Sequence, residues 1–220
     1  MSQASKRGLF IVFEGGEGAG KGSVLAAVGA WLHGQGVDPL CTREPGVTAE
    51  GQAIRSLLVQ GGANWEPTTE LLLMIADRAQ HVRRLIRPAL DAGRLVLCDR
   101  YVGSTLAYQG GGRGLAEQLI LGLQTVAADG LSVDLNILLD VPPAIGLKRS
   151  LKRLADERSS EDLFERLDLG FHERVRASFL AQAAADPAHW TVVDASQPIA
   201  EVIGQVQARL QRILGLDLPT

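Results

Sequence analysis

The chain has 220 residues, 46% of them hydrophobic, which is enough for one well-packed α/β domain and too little for two full-sized domains. Its 22 Lys and Arg residues stand against 25 Asp and Glu residues, and the net charge of -3 gives no overall basic field for a polynucleotide partner. The chain has no apolar span long enough for a membrane helix and no signal-peptide core, so we expect a cytoplasmic protein without membrane contact.

Apolar runs alternate with segments of helical periodicity along the chain. The runs that we predict to be strands are Leu9–Phe13, Leu40–Thr42, Arg94–Cys98, Leu135–Leu139 and Trp190–Val193. The predicted helices are Lys21–His33, Ala49–Gln60, Thr68–Ala92, Ala116–Ala128, Ala144–Ala155, Phe164–Ala185 and Ile199–Leu214. Continuous apolar strands are typical of a parallel sheet covered on both faces, with ligands at the carboxyl ends of the strands. Cys41 and Cys98 both fall in predicted strands, which favours reduced core thiols over a disulfide or a metal site.

A glycine-rich turn joins the first strand to the first helix. From Gly15 to Lys21 it follows the pattern in which backbone N–H groups, a lysine and a helix N-terminus surround nucleotide phosphates. A tight turn without a ligand is the alternative. Gly22 stands where a hydroxyl ordinarily binds Mg²⁺, and Ser23 comes one residue late. The predicted phosphate-binding residues are Gly15, Gly16, Glu17, Gly18, Ala19, Gly20, Lys21, Gly22 and Ser23.

Two charged pairs follow later strands. Arg43 and Glu44 precede a Pro-Gly turn, which can project them into a second substrate site or can be an ordinary turn. Asp99 and Arg100 end the third strand, where a carboxylate can orient Mg²⁺ or its waters and an arginine can clamp a phosphate. A surface ion pair is the alternative for Asp99 and Arg100.

Two further segments are candidates for ligand contact. Ser104, Tyr108 and Gln109 precede a glycine tract and suit recognition of a base and sugar, although a linker between helices can also be rich in glycine. The segment 148–168 mixes both signs of charge densely, as in a solvated helical hairpin or a mobile cationic lid over phosphates.

In order and spacing, these motifs resemble those of the thymidylate kinases, P-loop enzymes that phosphorylate dTMP with ATP and Mg²⁺. The resemblance covers nearly the whole chain and is carried by segments 13–21, 43–46, 70–78, 99–101 and 107–110. It implies a P-loop NTP hydrolase-like three-layer sandwich with a five-stranded parallel sheet. It also implies one nucleoside monophosphate kinase domain over 1–220, with a flexible tail at 1–8, a lid at about 148–166 and a homodimeric assembly.

The resemblance also implies which residues meet the phosphates. Lys21 would hold the β- and γ-phosphates of ATP, and Glu17 would lie near the 3′-hydroxyl of the acceptor. Arg43 and Arg100 would address the acceptor phosphate. Glu44 and Asp99 would organise these arginines and the magnesium ion, Asp99 through water, with Ser23 as a second candidate metal ligand.

The base and sugar of the acceptor would be held by other side chains. Arg78 would bond the thymine edge, Gln109 would add a base contact, and Tyr108 would crowd the 2′ position. Ser104 is a further substrate-binding candidate, and Pro45 resembles the proline whose cis bond aims the Arg-Glu pair in this family. Met74 stands near the place where an aromatic ring usually stacks on thymine, and methionine covers a base less rigidly.

The lid is expected to supply the catalytic arginines. In the bacterial subtype the P-loop has no arginine, and the lid provides it. Ala19 in the glycine-rich turn of this chain fits that pattern. The candidates are Arg149, Arg153 and Arg158.

Gly22, Val47, Met74 and Leu163 depart from the family pattern. These departures leave two alternatives open, a P-loop kinase for another deoxynucleotide and a nucleotide-binding homologue with impaired catalysis. A P-loop GTPase is disfavoured because the chain has no Asn-Lys-x-Asp tetrapeptide.

Overall fold

Five parallel strands form the central sheet of the computed structural model, which describes residues 7–59, 64–157, 164 and 167–216. The strands are β1 Phe10–Glu14, β2 Leu40–Arg43, β3 Val96–Asp99, β4 Leu135–Asp140 and β5 Trp190–Asp194, in the spatial order β2-β3-β1-β4-β5. All neighbouring strands run parallel, so their carboxyl ends lie along one edge of the sheet. The predicted α/β class and five-stranded parallel sheet are confirmed.

Helices cover both faces of the sheet. They are α1 Lys21–Gly34, α2 Ala49–Val59, α3 Pro67–His81, α4 Arg87–Asp91, α5 Val102–Thr105, α6 Glu117–Ala128, α7 Pro143–Glu157, α8 Leu169–Ala185 and α9 Ile199–Leu214. Alternation along β1 explains the two layers, since Ile11 and Phe13 belong to one buried cluster while Phe10 and Val12 belong to another on the opposite face. Among the described residues, no helix is both long and apolar enough to cross a membrane.

The structure departs from the sequence prediction at one cysteine and at one helix start. Cys98 is buried as predicted, but Cys41 is exposed because β2 is an edge strand. The helix predicted from Phe164 begins at Leu169, after Asp168 accepts a hydrogen bond from the backbone N–H of Phe171 at 2.9 Å.

Two π-helical segments, Val82–Ile86 and Leu106–Gly112, also differ from the prediction. The first interrupts the helix predicted at 68–92. The second gives regular structure to the glycine tract, and a Cβ on Gly112 would lie 2.4 Å from the ring of Phe171. The tract is therefore packed against α8.

The tail predicted at 1–8 is described only at its inner end. Residues 1–6 lie outside the described residues. Arg7 pairs with Asp134 at 2.8 Å, and the backbone N–H of Gly8 donates to the carbonyl of Leu90 at 2.8 Å. These two residues are bonded to the rest of the fold.

The P-loop packs directly against α7 through two glycines. A Cβ on Gly18 would lie 1.9 Å from the carbonyl oxygen of Gly146, and a Cβ on Gly146 would lie 2.2 Å from the carbonyl oxygen of Glu17. Real Cβ atoms do not approach backbone so closely, so both positions depend on the absence of a side chain. This contact fixes the start of α7 relative to the phosphate-binding turn.

We expect Gly146→Ala to lower the free energy of unfolding by about 1 to 3 kcal/mol, because the added methyl group forces the two backbones apart. Gly204→Ala in α9 is the matched control, since a Cβ there meets nothing within 4 Å and alanine favours a helix. Denaturant unfolding of both variants tests the contact. Equal stability of the two variants would contradict it.

Candidate active site

Two adjoining cavities open at the carboxyl edge of the sheet. The P-loop cavity, about 850 Å³, lies between residues 17–23, Asp99, α7 and the loop 195–199. The inner cavity, about 300 Å³, lies deeper, between the Arg43–Pro45 turn, α3 and the segment 100–109. Glu17, Arg43, Glu44, Arg55, Arg100 and Arg153 line both cavities. Four of these six shared side chains are arginines, so the junction is suited to anionic ligands.

Lys21 lies at the base of the P-loop cavity. Its Nζ donates to the carbonyl oxygens of Gly15 and Gly16, each at 3.0 Å. Burial lowers the pKa of Lys21, and the nearby Arg100 lowers it further. The Lys21 ammonium is thus held by the glycine-rich turn, at the N-terminus of α1.

Arg100 joins the two cavities. Its backbone adopts φ 71°, which is uncommon for a residue with a side chain. The guanidinium donates to Glu17 Oε1 at 2.7 Å, to the carbonyl of Gly15 at 2.9 Å, and to Ser104 Oγ and Tyr108 OH at 3.2 Å each. It is therefore aimed at the P-loop by four separate contacts.

Glu17 is an ionised carboxylate in this arrangement. Burial alone would raise the pKa of Glu17, but Arg100 and Lys21 outweigh burial and lower it to about 2. Tyr108 also donates its hydroxyl to Glu17 Oε1, at 2.7 Å. Glu17 is thus negative near neutral pH, and it fixes the position of Arg100.

Beneath Arg100, Glu14 ties the end of β1 to the segment after β3. Its side chain is fully buried, and Oε1 accepts from the backbone N–H groups of Tyr101 and Ser104, each at 3.1 Å. Oε2 accepts from Ser104 Oγ at 2.5 Å. Burial raises the pKa of Glu14. These bonds fix the backbone on both sides of Tyr101.

The other charged turn is held by a buried network. The Glu44–Pro45 peptide is cis, as the resemblance implied. Glu44 accepts from Arg78 Nε at 2.7 Å and lies 2.9 Å from His81 Nδ1. Glu44 therefore contacts Arg78 and His81 rather than the arginines 43 and 100 that it was expected to organise.

Arg78 lines the inner cavity but is 2% exposed. Besides Glu44, its guanidinium donates to Gln124 Oε1 at 2.8 Å and Thr105 Oγ1 at 2.9 Å, and it lies 4.8 Å from the centroid of the Tyr101 ring. Three of its five N–H groups are used in these bonds. The guanidinium is fixed in orientation, and two N–H groups are left for a ligand.

Asp77 supports the same turn from α3. Its Oδ1 accepts from the backbone N–H of Gly46 at 3.1 Å, while Oδ2 is buried with no partner in the described part of the chain. Burial and the nearby Glu44 carboxylate raise the pKa of Asp77 to about 6. Its charged neighbours are Glu44, Arg78 and His81.

Asp99 has the chemistry expected of a group that faces a cation or its water. Its Oδ1 is buried and has no hydrogen-bond partner within the described ranges. A Cβ on Gly22 would lie 4.0 Å from Asp99 Oδ2, so the two residues face each other with room between them. No cluster of three or more His, Cys, Asp or Glu side chains suited to a metal occurs in the part of the chain that is described. Any Mg²⁺ here must therefore take most of its ligands from phosphate and water.

The lid candidates lie on α7, as far as the structure describes them. Arg149 donates to the carbonyl oxygens of Ala195 and Ser196, at 2.7 and 3.2 Å. Arg153 donates to Ser150 Oγ at 3.3 Å and lines both cavities. Arg158 and Leu163 lie outside the described residues.

Each site residue that was predicted from the sequence and that the structure describes lines one or both cavities, except Gly15 and Gly16. The backbone carbonyls of these two glycines accept hydrogen bonds from Lys21. Met74, Ser104, Tyr108 and Gln109 line the inner cavity, and Ser23 lines the P-loop cavity. Three parts of the site are not among the site residues predicted from the sequence, namely Arg55, the loop 195–199 and the supporting acids 14, 70 and 77. The loop could have been found from its position, because it follows a parallel strand at its carboxyl end.

Comparison with known proteins decides the family. The Thymidylate kinase family model matches residues 13–206. The chain belongs to the thymidylate kinase family. It is 51% identical over 209 residues to a thymidylate kinase of Cereibacter sphaeroides, covering 94% of this chain and 96% of the relative.

Other thymidylate kinases are similar over comparable lengths. That of Thermosynechococcus vestitus is 47% identical over 211 residues, which are 91% of this chain and 86% of the relative. That of Desulfovibrio desulfuricans is 44% identical over 219 residues, which are 95% of this chain and 100% of the relative. The similarity thus extends over at least 86% of each of these relatives.

We expect Asp77→Asn to change how stability depends on pH. A carboxyl group whose pKa is raised from 3.8 to about 6 by folding binds its proton more tightly in the folded state, so its contribution to stability falls as pH rises through that interval. The variant should therefore gain about 1 to 3 kcal/mol relative to the native chain between pH 4 and pH 7. Denaturant unfolding across this range measures the gain.

Asp91→Asn provides the control for Asp77→Asn, because Asp91 is an exposed acid of α4. A stability difference between Asp77→Asn and the native chain that stays constant with pH would contradict the raised pKa.

Proposed function

We propose that this chain transfers the γ-phosphoryl group of ATP to dTMP, giving ADP and dTDP, within one nucleoside monophosphate kinase domain. The observation that carries the proposal is the junction of the two cavities, where Arg100 and Glu17 stand between the P-loop and the Arg43–Pro45 turn. A donor phosphate in one cavity and an acceptor phosphate in the other would meet at that junction.

In this proposal ATP occupies the P-loop cavity. The backbone N–H groups of the glycine-rich turn and the N-terminus of α1 receive the phosphates. Lys21 exchanges the carbonyls of Gly15 and Gly16 for phosphate oxygens, which compensates for its burial. The cavity volume of about 850 Å³ is in the range usual for a cofactor-sized ligand.

Mg²⁺ would neutralise charge on the phosphates and align them. Asp99 would accept hydrogen bonds from its water ligands through the buried Oδ1, and Ser23 is the other candidate. Gly22 offers no hydroxyl, so the protein contributes less to holding the ion than a P-loop with Ser or Thr at this position.

The acceptor dTMP would occupy the inner cavity. Arg43, which is exposed at the junction, and Arg100 would bind its phosphate. Arg78 and Gln109 would bond the base edge, and Met74 would cover a base face. These groups line one continuous cavity of about 300 Å³ together with Pro45, Ser104 and Tyr108. Tyr108 lies beside the junction through its bond to Glu17, which supports its place near the sugar.

Catalysis would depend on alignment and charge, because phosphoryl transfer asks for little covalent chemistry from the protein. Glu17 would accept a hydrogen bond from the acceptor sugar, and Arg100 would release part of its contact with Glu17 to the incoming phosphate. Arg153 lines both cavities and is best placed in α7 to meet the transferred phosphoryl group. Arg149 and Arg158 complete the proposed set of lid cations.

A homodimer in the cytoplasm is also proposed. Leu72 on α3 and Leu119 and Val126 on α6 are 49%, 42% and 71% exposed, and the two helices pack side by side. Exposed apolar side chains on two adjacent helices suit a surface shared by two copies of the chain.

A coupled ADP-release assay with ATP, Mg²⁺ and a panel of acceptors tests the function. ADP release that requires dTMP, and that exceeds release with dUMP, dCMP or dGMP, is the expected result. Preference for another acceptor would favour a kinase for that deoxynucleotide. Silence with every acceptor, from folded protein that binds nucleotide, would favour an impaired homologue.

We expect Gly22→Thr to lower the Mg²⁺ concentration needed for half-maximal ATP binding by severalfold, since the hydroxyl adds a direct oxygen ligand. A Cβ at this position would have Asp99 Oδ2, at 4.0 Å, as its nearest neighbour, so the first side-chain atom causes no close contact. Gly22→Ala is the control, because it adds the Cβ without the oxygen. Calorimetric titration with a non-hydrolysable ATP analogue measures the effect, and an equal shift in both variants would contradict the role of the hydroxyl.

A further inference from the structure

Glu70 is a buried acid that faces neither cavity but bonds a side chain that does. It lies on α3 and is 1% exposed. Its Oε1 accepts from Gln109 Nε2 at 2.8 Å, and its carboxylate accepts from Arg113 at 2.8 Å for Nη2 and 3.3 Å for Nε. Gln109, in the π-helical segment 106–112, lines the inner cavity.

The bond to Glu70 fixes which end of the Gln109 carboxamide faces the cavity. A carboxylate only accepts hydrogen bonds, so it must meet the amide nitrogen of Gln109 and not the oxygen. Oε1 then points elsewhere, and no described residue donates to it. Gln109 is itself 1% exposed and lines the inner cavity. Oε1 is thus the acceptor that this side chain keeps for a ligand.

A donor lines the same cavity as this acceptor. Arg78 keeps two N–H groups that have no partner among the described residues after its bonds to Glu44, Gln124 and Thr105. An acceptor and a donor in the wall of one cavity match the edge of thymine or uracil, which presents N3–H and the O4 carbonyl. The cytosine edge carries the reverse pattern, an unprotonated N3 and an amino group, and would face like against like.

We infer that Glu70 is a positioning residue that sets the hydrogen-bond polarity of Gln109 and so selects a pyrimidine edge with N3–H. This inference rests on the proposed function, because it concerns the base of the acceptor. Arg113 holds the other side of Glu70, and its guanidinium carbon lies 5.4 Å from the centroid of the Phe171 ring. Glu70 is thus held in place by an ion pair with a partner that does not line the inner cavity.

Glu70→Gln tests the inference with little change of volume. A glutamine can donate as well as accept, so it allows Gln109 to turn its nitrogen toward the cavity. We expect the ratio of kcat/KM for dTMP to that for dCMP to fall by about tenfold or more, because groups buried without partners are what reject the wrong edge. The ratio for dTMP to dUMP should stay unchanged, since both bases present the same edge.

Arg113→Lys is the matched control. It keeps a cation beside the Glu70 carboxylate, which still orients Gln109, but it loses the two-bond pairing of the guanidinium, so it should lower the melting temperature and keep the dTMP to dCMP ratio. If Arg113→Lys changes this ratio as much as Glu70→Gln does, packing around the ion pair, and not the polarity of Gln109, sets the preference.

Gln109→Leu completes the experiment, since Glu70 should have no influence on base choice once Gln109 is gone. The expected result is that Glu70→Gln changes the dTMP to dCMP ratio in the native background and not in Gln109→Leu. An unchanged ratio in the native background, or an equal change in both, would overturn the inference. A native chain that phosphorylates no deoxynucleotide would instead overturn the proposed function. If Glu70→Gln fails to fold, Glu70→Asp takes its place, because aspartate is also a group that only accepts. The ratio of the affinity for dCMP to that for dTMP must then be the same in Glu70→Asp as in the native chain.

Discussion

The ion pair between Arg100 and Glu17 is the contact on which the site depends. It joins the residue after β3 to the P-loop across 2.7 Å, in a place where each side chain is less than one-fifth exposed. The pairing lowers the pKa of Glu17 although burial opposes ionisation. A buried pair of this kind adds little net stability compared with apolar packing, but breaking it leaves an uncompensated charge. Its value is geometric, because it holds a phosphate-binding cation at the boundary of two cavities.

Other buried acidic side chains also hold the residues that line the two cavities. Glu14 holds the backbone that carries Arg100, Glu44 holds Arg78, and Glu70 holds Gln109. Each acid satisfies a donor belonging to a segment that lines a cavity, so the cavity walls are fixed before any ligand enters. Such preorganisation lowers the cost of ordering side chains during binding and transfer. Asp77 differs, because one of its oxygens has no partner among the described residues and its pKa is raised.

Much of the fold and part of the site follow from local sequence. The glycine-rich turn, the apolar strands and the acid-arginine pair after β3 are short patterns whose structure depends on adjacent residues. The exposure of Cys41 depends on strand order, which is a property of the whole sheet. The bond between Glu44 and Arg78 joins residues 34 positions apart, and that between Glu70 and Gln109 spans 39. Which side chains pair over such separations in sequence depends on how the helices pack. The hydrophobic periodicity of the sequence does not specify that packing.

Helix α7 is attached to the P-loop at one point near its start, where Gly18 and Gly146 meet backbone to backbone. Beyond Gly146 the helix continues to Glu157, roughly 16 Å at the usual rise per residue. The contact therefore sets the origin from which α7 is laid out, with Arg149 close to it and Arg153 farther along the helix. A difference of about 10° in the direction of the helix at Gly146 would displace its far end by roughly 3 Å, which is the length of a hydrogen bond. The closeness with which two glycines meet thus limits how accurately the arginines on α7 are placed over the site.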